Sequence, residues 1–287
     1  MESKTIGQKI LYFPLTKILI GILVCIGTLV ILKTGIGKLL GLLPLEKTII
    51  DLVTNTSTIF VVLYSYILLY RYYEKRSITE LSSNNLAKNL SLGIALGVGL
   101  QSLTIFVIYL YGGFKILSVN SVIPLIPSLV GFTAVAVFEE ILFRGIIFRI
   151  TEEKLGSYLA MIISGLLFGF AHLSNPNSSF TSALSIAIEA GLLFGAAYIY
   201  TRNLWFPIAL HFAWNFTQSN IYGAATSGSI IGKSLFTTTI EGPEILTGGA
   251  FGPEASLQVI VFCVITTVIL MRLNHKQHKV IKPYWSK

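Results

Sequence analysis

Apolar residues in this chain run in long blocks separated by short polar or charged stretches. A helix needs ~20 mostly apolar residues to cross a bilayer core. Eight blocks approach that length: Leu15 to Leu32, Ile49 to Tyr70, Leu90 to Tyr111, Ile126 to Ile150, Leu155 to Leu173, Phe180 to Tyr200, Leu204 to Tyr222 and Leu257 to Leu273. Asp51, Asn55 and several threonines interrupt the start of the second. Pro124 and Pro127 suit the first turn of the fourth, where the missing N–H costs nothing. The pattern predicts an all-α polytopic membrane protein of about eight transmembrane helices. The first block lacks a small-residue cleavage site and is followed by further blocks, so it reads as a retained helix and not a cleavable signal peptide.

Two local patterns add to this outline. The longest connection, Gly223 to Ser256, is rich in Gly, Ser and Thr yet keeps Ile, Leu and Phe. Its length fits a lid or a re-entrant segment, and the sequence leaves that choice open. Gly165-Leu166-Leu167-Phe168-Gly169 on the fifth block is echoed by Gly191-Leu192-Leu193-Phe194-Gly195 on the sixth. Such Gly-x-x-x-Gly steps let helix backbones approach closely in a membrane, which explains the echo as packing.

Composition agrees with the blocks. Of 287 residues 53% are hydrophobic and 12% charged, and mean hydropathy is +0.75. A soluble domain carries about 25% charged residues. The net charge of +8 is too dilute for a nucleic-acid partner and belongs to membrane topology. With the termini and alternate loops on one side, that side holds fifteen Lys and Arg, the other holds five, and Arg144 is intramembrane. This asymmetry predicts both termini in the cytoplasm of a multi-pass cell-membrane protein. The tail after Met271 reads as a solvated basic end near anionic headgroups. Cys25 and Cys263 lie in apolar runs without metal or redox spacing and read as core or lipid-facing residues.

Charged and polar residues inside the blocks are few. A charge near the bilayer centre costs ~2.5–3.5 kcal/mol on insertion scales, so each needs a partner or a function. Glu139, Glu140 and Arg144 fall within six residues. Glu140 and Arg144 are four apart and share a helix face, so they neutralise each other. Glu139 points about 100° away and has no local cation. His172 and His211 are the histidines inside blocks. Asn215 shares a face with His211, as Phe168 does with His172. Glu189 is a further buried acid with no assigned partner. Taken singly, each polar residue is explained as interhelical glue. Taken together, two imidazoles and a carboxylate around one water fit two chemistries. Either Glu139, His172 and His211 bind zinc and leave a position for water, or no metal is present and a poorly solvated glutamate is the general base. In the second case the remaining His and Asn donate to the oxyanion. Both lead to hydrolysis of a peptide bond within the membrane.

Glu139-Glu140-x-x-x-Arg144, Phe168-x-x-x-His172 and His211-x-x-x-Asn215 resemble, in that order, the three motifs of the CPBP intramembrane proteases (CAAX-protease and bacteriocin-processing, or Abi, family). The flanks Phe138 to Gly145 and Thr201 to His211 agree, no motif position departs, and the resemblance covers about residues 125 to 220. It implies a protease core over 121–287 with a conical intramembrane active-site cavity, preceded by N-terminal helices over 1–120. It also implies that Glu139 activates the water and His172 holds it. His211 and Asn215 would stabilise the oxyanion, with Glu140, Arg144 and Phe168 as supports. Zinc is the one candidate cofactor. The implied partners are the bilayer and a membrane-associated or amphipathic peptide or protein substrate, as in removal of the last three residues of prenylated CAAX proteins. Bacterial members are tied to peptide processing, bacteriocin self-immunity or signalling, and high Ile and Lys usage points to a bacterial plasma membrane.

Three other readings compete with the endopeptidase. They are a non-enzymatic immunity or partner-binding protein on the same fold, a small transporter or proton relay, and an assembly scaffold in which the charged pair and the glycines serve packing alone. A depth count raises a difficulty for any single site. Glu139 lies ~16 Å from Ile150, near mid-membrane, whereas His172 lies ~25 Å past Leu155, nearer the opposite face.

Overall fold

The computed structural model describes residues 5–229 and 232–286. Twelve α-helices follow in chain order: α1 Ile6–Leu11, α2 Pro14–Ile31, α3 Gly37–Gly41, α4 Lys47–Tyr73, α5 Leu86–Leu110, α6 Ile126–Glu140, α7 Arg149–Ala171, α8 Phe180–Ile186, α9 Leu193–Thr201, α10 Trp205–Phe216, α11 Glu244–Thr247 and α12 Leu257–Lys276. Wider π-turns join several of them: Leu32–Ile36 between α2 and α3, Ile141–Phe148 between α6 and α7, Ala187–Leu192 between α8 and α9, and Thr217–Ile221 after α10. Such turns concentrate at functional sites. Here three of the four abut the residues singled out from the sequence.

Among the described residues six helical runs are long and apolar enough to cross a membrane, not eight: Pro14–Gly41, Lys47–Tyr73, Leu86–Leu110, Ile123–Ser174, Phe180–Thr201 and Leu257–Lys276. The physical reason lies in two places. The fourth and fifth expected blocks form one helical run, Ile123–Ser174, because the polar stretch between them is itself helical. The seventh is carried by α10 and its π-turn, which together stay short.

The long run nevertheless doubles back. Gly156 interrupts it with φ 76° and ψ 170°, a conformation open to glycine and strained for other residues. The arm after this turn packs on the arm before it. Ser164 Oγ donates to the Phe143 carbonyl at 3.0 Å, and the Phe143 and Phe168 rings meet edge to face at 4.8 Å. Gly156 comes seventeen residues after Glu139 and sixteen before His172. The two residues therefore lie at similar height, and the depth difficulty disappears. It arose from placing the end of the first arm at Ile150, where the helix in fact continues.

Close backbone contacts fix the helices that carry the motifs. A Cβ on Gly93 would lie 2.6 Å from the Phe206 carbonyl oxygen, and one on Gly97 would lie 2.7 Å from that of Leu210. The backbones of α5 and α10 thus touch, and α10 carries His211. The echoed glycines pack as expected: a Cβ on Gly191 would sit 2.4 Å from Gly165 Cα.

At the Gly156 end of the bundle, Glu74 receives Lys17 at 2.6 Å, Arg76 at 2.7 Å and Arg149 at 2.9 Å. Arg76 also pairs with Glu80 at 2.6 Å. The tail is docked at this end instead of being solvated throughout. Ser157 N–H donates to the Ile281 carbonyl at 3.0 Å, and Ile281 N–H donates to Ser157 Oγ at 2.9 Å. Cys25 and Cys263 are free and buried.

The long connection is ordered over its described residues. Strand β2, Phe236–Ile240, pairs antiparallel with β1, Phe114–Val119, which lies between α5 and α6. The connection is pinned near the end of α7. Asn175 Nδ2 donates to the Ser227 carbonyl at 3.0 Å, Asn177 Nδ2 to that of Gly228 at 3.2 Å, and Gly228 N–H to that of Phe251 at 2.8 Å.

Candidate active site

Arg144 is fully buried and held by hydrogen bonds and by aromatic faces. Its Nη1 donates to Glu140 Oε1 at 3.0 Å and its Nη2 to the Ala190 carbonyl at 2.7 Å. The guanidinium lies over the rings of Phe168 and Phe194, 4.8 and 5.2 Å from their centroids. A planar cation is suited to being held by one carboxylate in its plane and rings on its faces.

Glu140 has a second partner that helical spacing could not disclose. His211 Nδ1 lies 3.0 Å from the same Oε1. A carboxylate oxygen accepts, so the proton sits on Nδ1 and Nε2 is turned away. Nε2 lies 3.8 Å from Glu139 Oε2. That oxygen is buried and has no hydrogen-bond partner among the described residues. The Glu139 side chain as a whole is 22% exposed, against 0% for Glu140. The adjacent glutamates are thus divided: one is locked between Arg144 and His211, and the other is left with a free oxygen beside an imidazole.

His172 ends α7. Its Nδ1 lies 2.8 Å from the Phe168 carbonyl. A carbonyl only accepts, so this nitrogen also carries the proton and Nε2 is left to act. The Phe168 ring stands between the two imidazoles, 4.8 Å from His172 and 6.0 Å from His211. Phe168 therefore touches Arg144, His172 and His211 at once.

Phe168, His172, His211 and Asn215 line one cavity of about 20 Å³. One water needs roughly 10–15 Å³. Glu139 is not part of that wall and reaches the site through His211. Two acids complete the lining, Glu189 from the π-turn after α8 and Glu254 from the long connection, together with Trp214 and Ser227. Glu189 stood out in the sequence only as an unassigned buried acid. Glu254 did not stand out at all: no spacing links it to the motifs, and its one cue is the Gly252-Pro253 frame in front of it. Among the described residues no three His, Cys, Asp or Glu side chains are grouped so as to hold a metal ion. Glu139, His172 and His211 are not among any such group, and the bond from His211 Nδ1 to Glu140 leaves Nε2 as its free nitrogen.

No curated protein and no solved structure matches the chain. The family model described as Type II CAAX prenyl endopeptidase Rce1-like matches residues 121–217, the stretch that holds all three motifs, and this is the CAAX-protease family those motifs resemble.

Proposed function

We propose that this protein is an intramembrane endopeptidase that hydrolyses a peptide bond of a membrane-associated substrate, with Glu139 as the base. The observation that carries this reading is the Glu139 Oε2 atom, buried, without a hydrogen-bond partner and 3.8 Å from His211 Nε2. A water hydrogen-bonded to that oxygen loses a proton to it as the water attacks the scissile carbonyl. His172, its Nδ1 proton held by the Phe168 carbonyl, presents Nε2 to orient the water. His211 and Asn215 face the oxygen of the tetrahedral intermediate, and protonated His211 donates to it from Nε2. Glu140 holds the Nδ1 proton of His211 and so turns Nε2 toward the site, and Arg144 balances the charge of Glu140.

Burial inside a helical bundle suits a substrate that reaches the site from the bilayer, namely an amphipathic or lipidated peptide. The family match supports a CAAX-type C-terminal segment. The fifteen-to-five distribution of cationic residues supports cytoplasmic termini, with the Gly156 end of the hairpin in the cytoplasm.

The test uses the full chain in detergent and in vesicles, with quenched-fluorescence peptides carrying prenylated and unprenylated CAAX ends. Glu139→Gln, His172→Ala and His211→Ala are each expected to lower kcat at least ~10²-fold while the thermal midpoint stays near that of the parent. Full activity in all three variants would overturn the hydrolytic reading.

A further inference from the structure

We propose that Glu254, carried into the cavity by the connection between α10 and α12, is the acid that protonates the leaving amine when the peptide bond breaks. This inference rests on the hydrolytic reading above and names a donor for the leaving amine other than the protonated Glu139.

The cavity that holds His172, His211 and Asn215 is closed on one side by Glu254. The residue is 3% exposed, and no Lys or Arg pairs with it among the described residues. Its Oε1 instead accepts the backbone N–H of Ser227. Ser227 is held in turn through its carbonyl by Asn175, three residues beyond His172. The loop is thus fastened to the same helix end that presents His172. Glycine geometry enforces the fit: Gly252 has φ 120°, and a Cβ there would lie 2.2 Å from the Ala225 carbonyl oxygen.

A second observation points into the same cavity. Glu189 is 2% exposed and lines it, and its Oε1 is buried with no hydrogen-bond partner. Two carboxyl groups lining one small cavity without a cation between them do not readily both ionise. Burial pushes the Glu254 carboxyl up, against the lowering pull of Ser227, His172 and the Trp214 side chain. A carboxyl whose proton is held more tightly than usual is suited to handing it to a leaving amine. The titratable groups facing Glu254 are Glu189 from the π-turn, His172 from the end of α7 and His211 from α10. Helices α8 and α12 bring no titratable side chain to the cavity wall.

The protons balance. As the water oxygen bonds to the carbonyl carbon, Glu139 takes one proton from the water. The C–N bond then breaks with its electron pair on nitrogen, and that nitrogen takes the proton of Glu254. Return of the first proton from Glu139 to Glu254 through water and His172 restores both groups.

Leaving-group dependence tests the assignment. Glu254→Gln keeps an acceptor for the Ser227 N–H but cannot give up a proton in the same way. The parent and variant are assayed on a peptide amide and on the same acyl segment as a nitrophenyl ester, whose leaving group needs no proton. The expected result is a fall in kcat of at least ~10²-fold on the amide, with the ester within about threefold of the parent. Equal losses on both substrates, or no loss on the amide, would overturn the role. Glu139→Gln should lose both, so a chain in which the parent cleaves neither substrate sinks the hydrolytic reading instead. The parent's kcat profile on the amide should show an alkaline limb that the ester profile lacks, because only the amide nitrogen needs the proton. A limb shared by both substrates counts against Glu254, and this measurement decides alone should Glu254→Gln fail to fold.

Discussion

Glu140 serves two partners from one oxygen, so its removal separates a charge-balancing role from a positioning one. Glu140→Ala deletes the acceptor of Arg144 Nη1 and of His211 Nδ1, both at 3.0 Å. Arg144, with 0% of its side chain exposed, then keeps the Ala190 carbonyl, a long contact to Gly191 and two aromatic faces, and loses its ion-pair partner. Breaking a buried pair by removing one partner costs about 3–5 kcal/mol. In a chain of this size that lowers the thermal midpoint by on the order of 10 °C. The paired variant Glu140→Met with Arg144→Met removes both charges, and such replacements are often neutral. Its stability should return to within about 1 kcal/mol of the parent. Hydrolysis should not return, because His211 has lost the bond that orients its ring, and it should stay at least ~10²-fold down. The assay is thermal unfolding in detergent alongside initial rates on a fluorogenic peptide. If the single variant melts and cleaves like the parent, neither role exists. If the paired variant regains activity together with stability, Glu140 only neutralises Arg144.

Two further outcomes follow from the packing and from the charged network. Gly97→Ala places a Cβ 2.7 Å from the Leu210 carbonyl oxygen and 2.9 Å from Ala213 Cβ. It should cost about 1–3 kcal/mol and displace α10, so that thermal midpoint and activity fall together; an unchanged rate would show that His211 does not depend on this contact. Burial pushes the Glu74 and Glu80 carboxyls up, but Arg149, Lys17 and Arg76 outweigh it for Glu74, and Arg76 and Tyr66 outweigh it for Glu80, so both lie below the usual 4.5. A depressed carboxylate contributes stability that is present above its unfolded value and is lost as pH falls through its folded value. The thermal midpoint should therefore hold down to about pH 4.5 and drop below it, and Arg76→Gln should flatten that acid loss.

The membrane architecture could be read from the apolar blocks because a bilayer demands length and apolarity from every span. The count could not, because composition does not show whether a polar stretch such as Thr151 to Leu155 ends a helix or lies within one. Glu140 and Arg144 were legible as a pair since both sit on one helix. The bond from Glu140 to His211 spans 71 residues and depends on how two helices dock. Glu254 was illegible for the same reason in stronger form: it sits on an irregular loop, and only a folded path through Gly248, Gly249 and Gly252, all at positive φ, brings it inward.

The turn at Gly156 makes the segment from Glu139 to His172 a ruler. Inserting or deleting one residue in either arm would slide its motif by 1.5 Å and swing it by 100°. Because the arms run in opposite directions, a change in one is not absorbed by the other unless both are altered together. The connection between His172 and His211 includes non-helical stretches with slack for such changes. Length variation among proteins built on this plan should therefore be rare between the first two motifs and tolerated between the second and third. In an engineered chain the hairpin is the segment whose residue count must be kept.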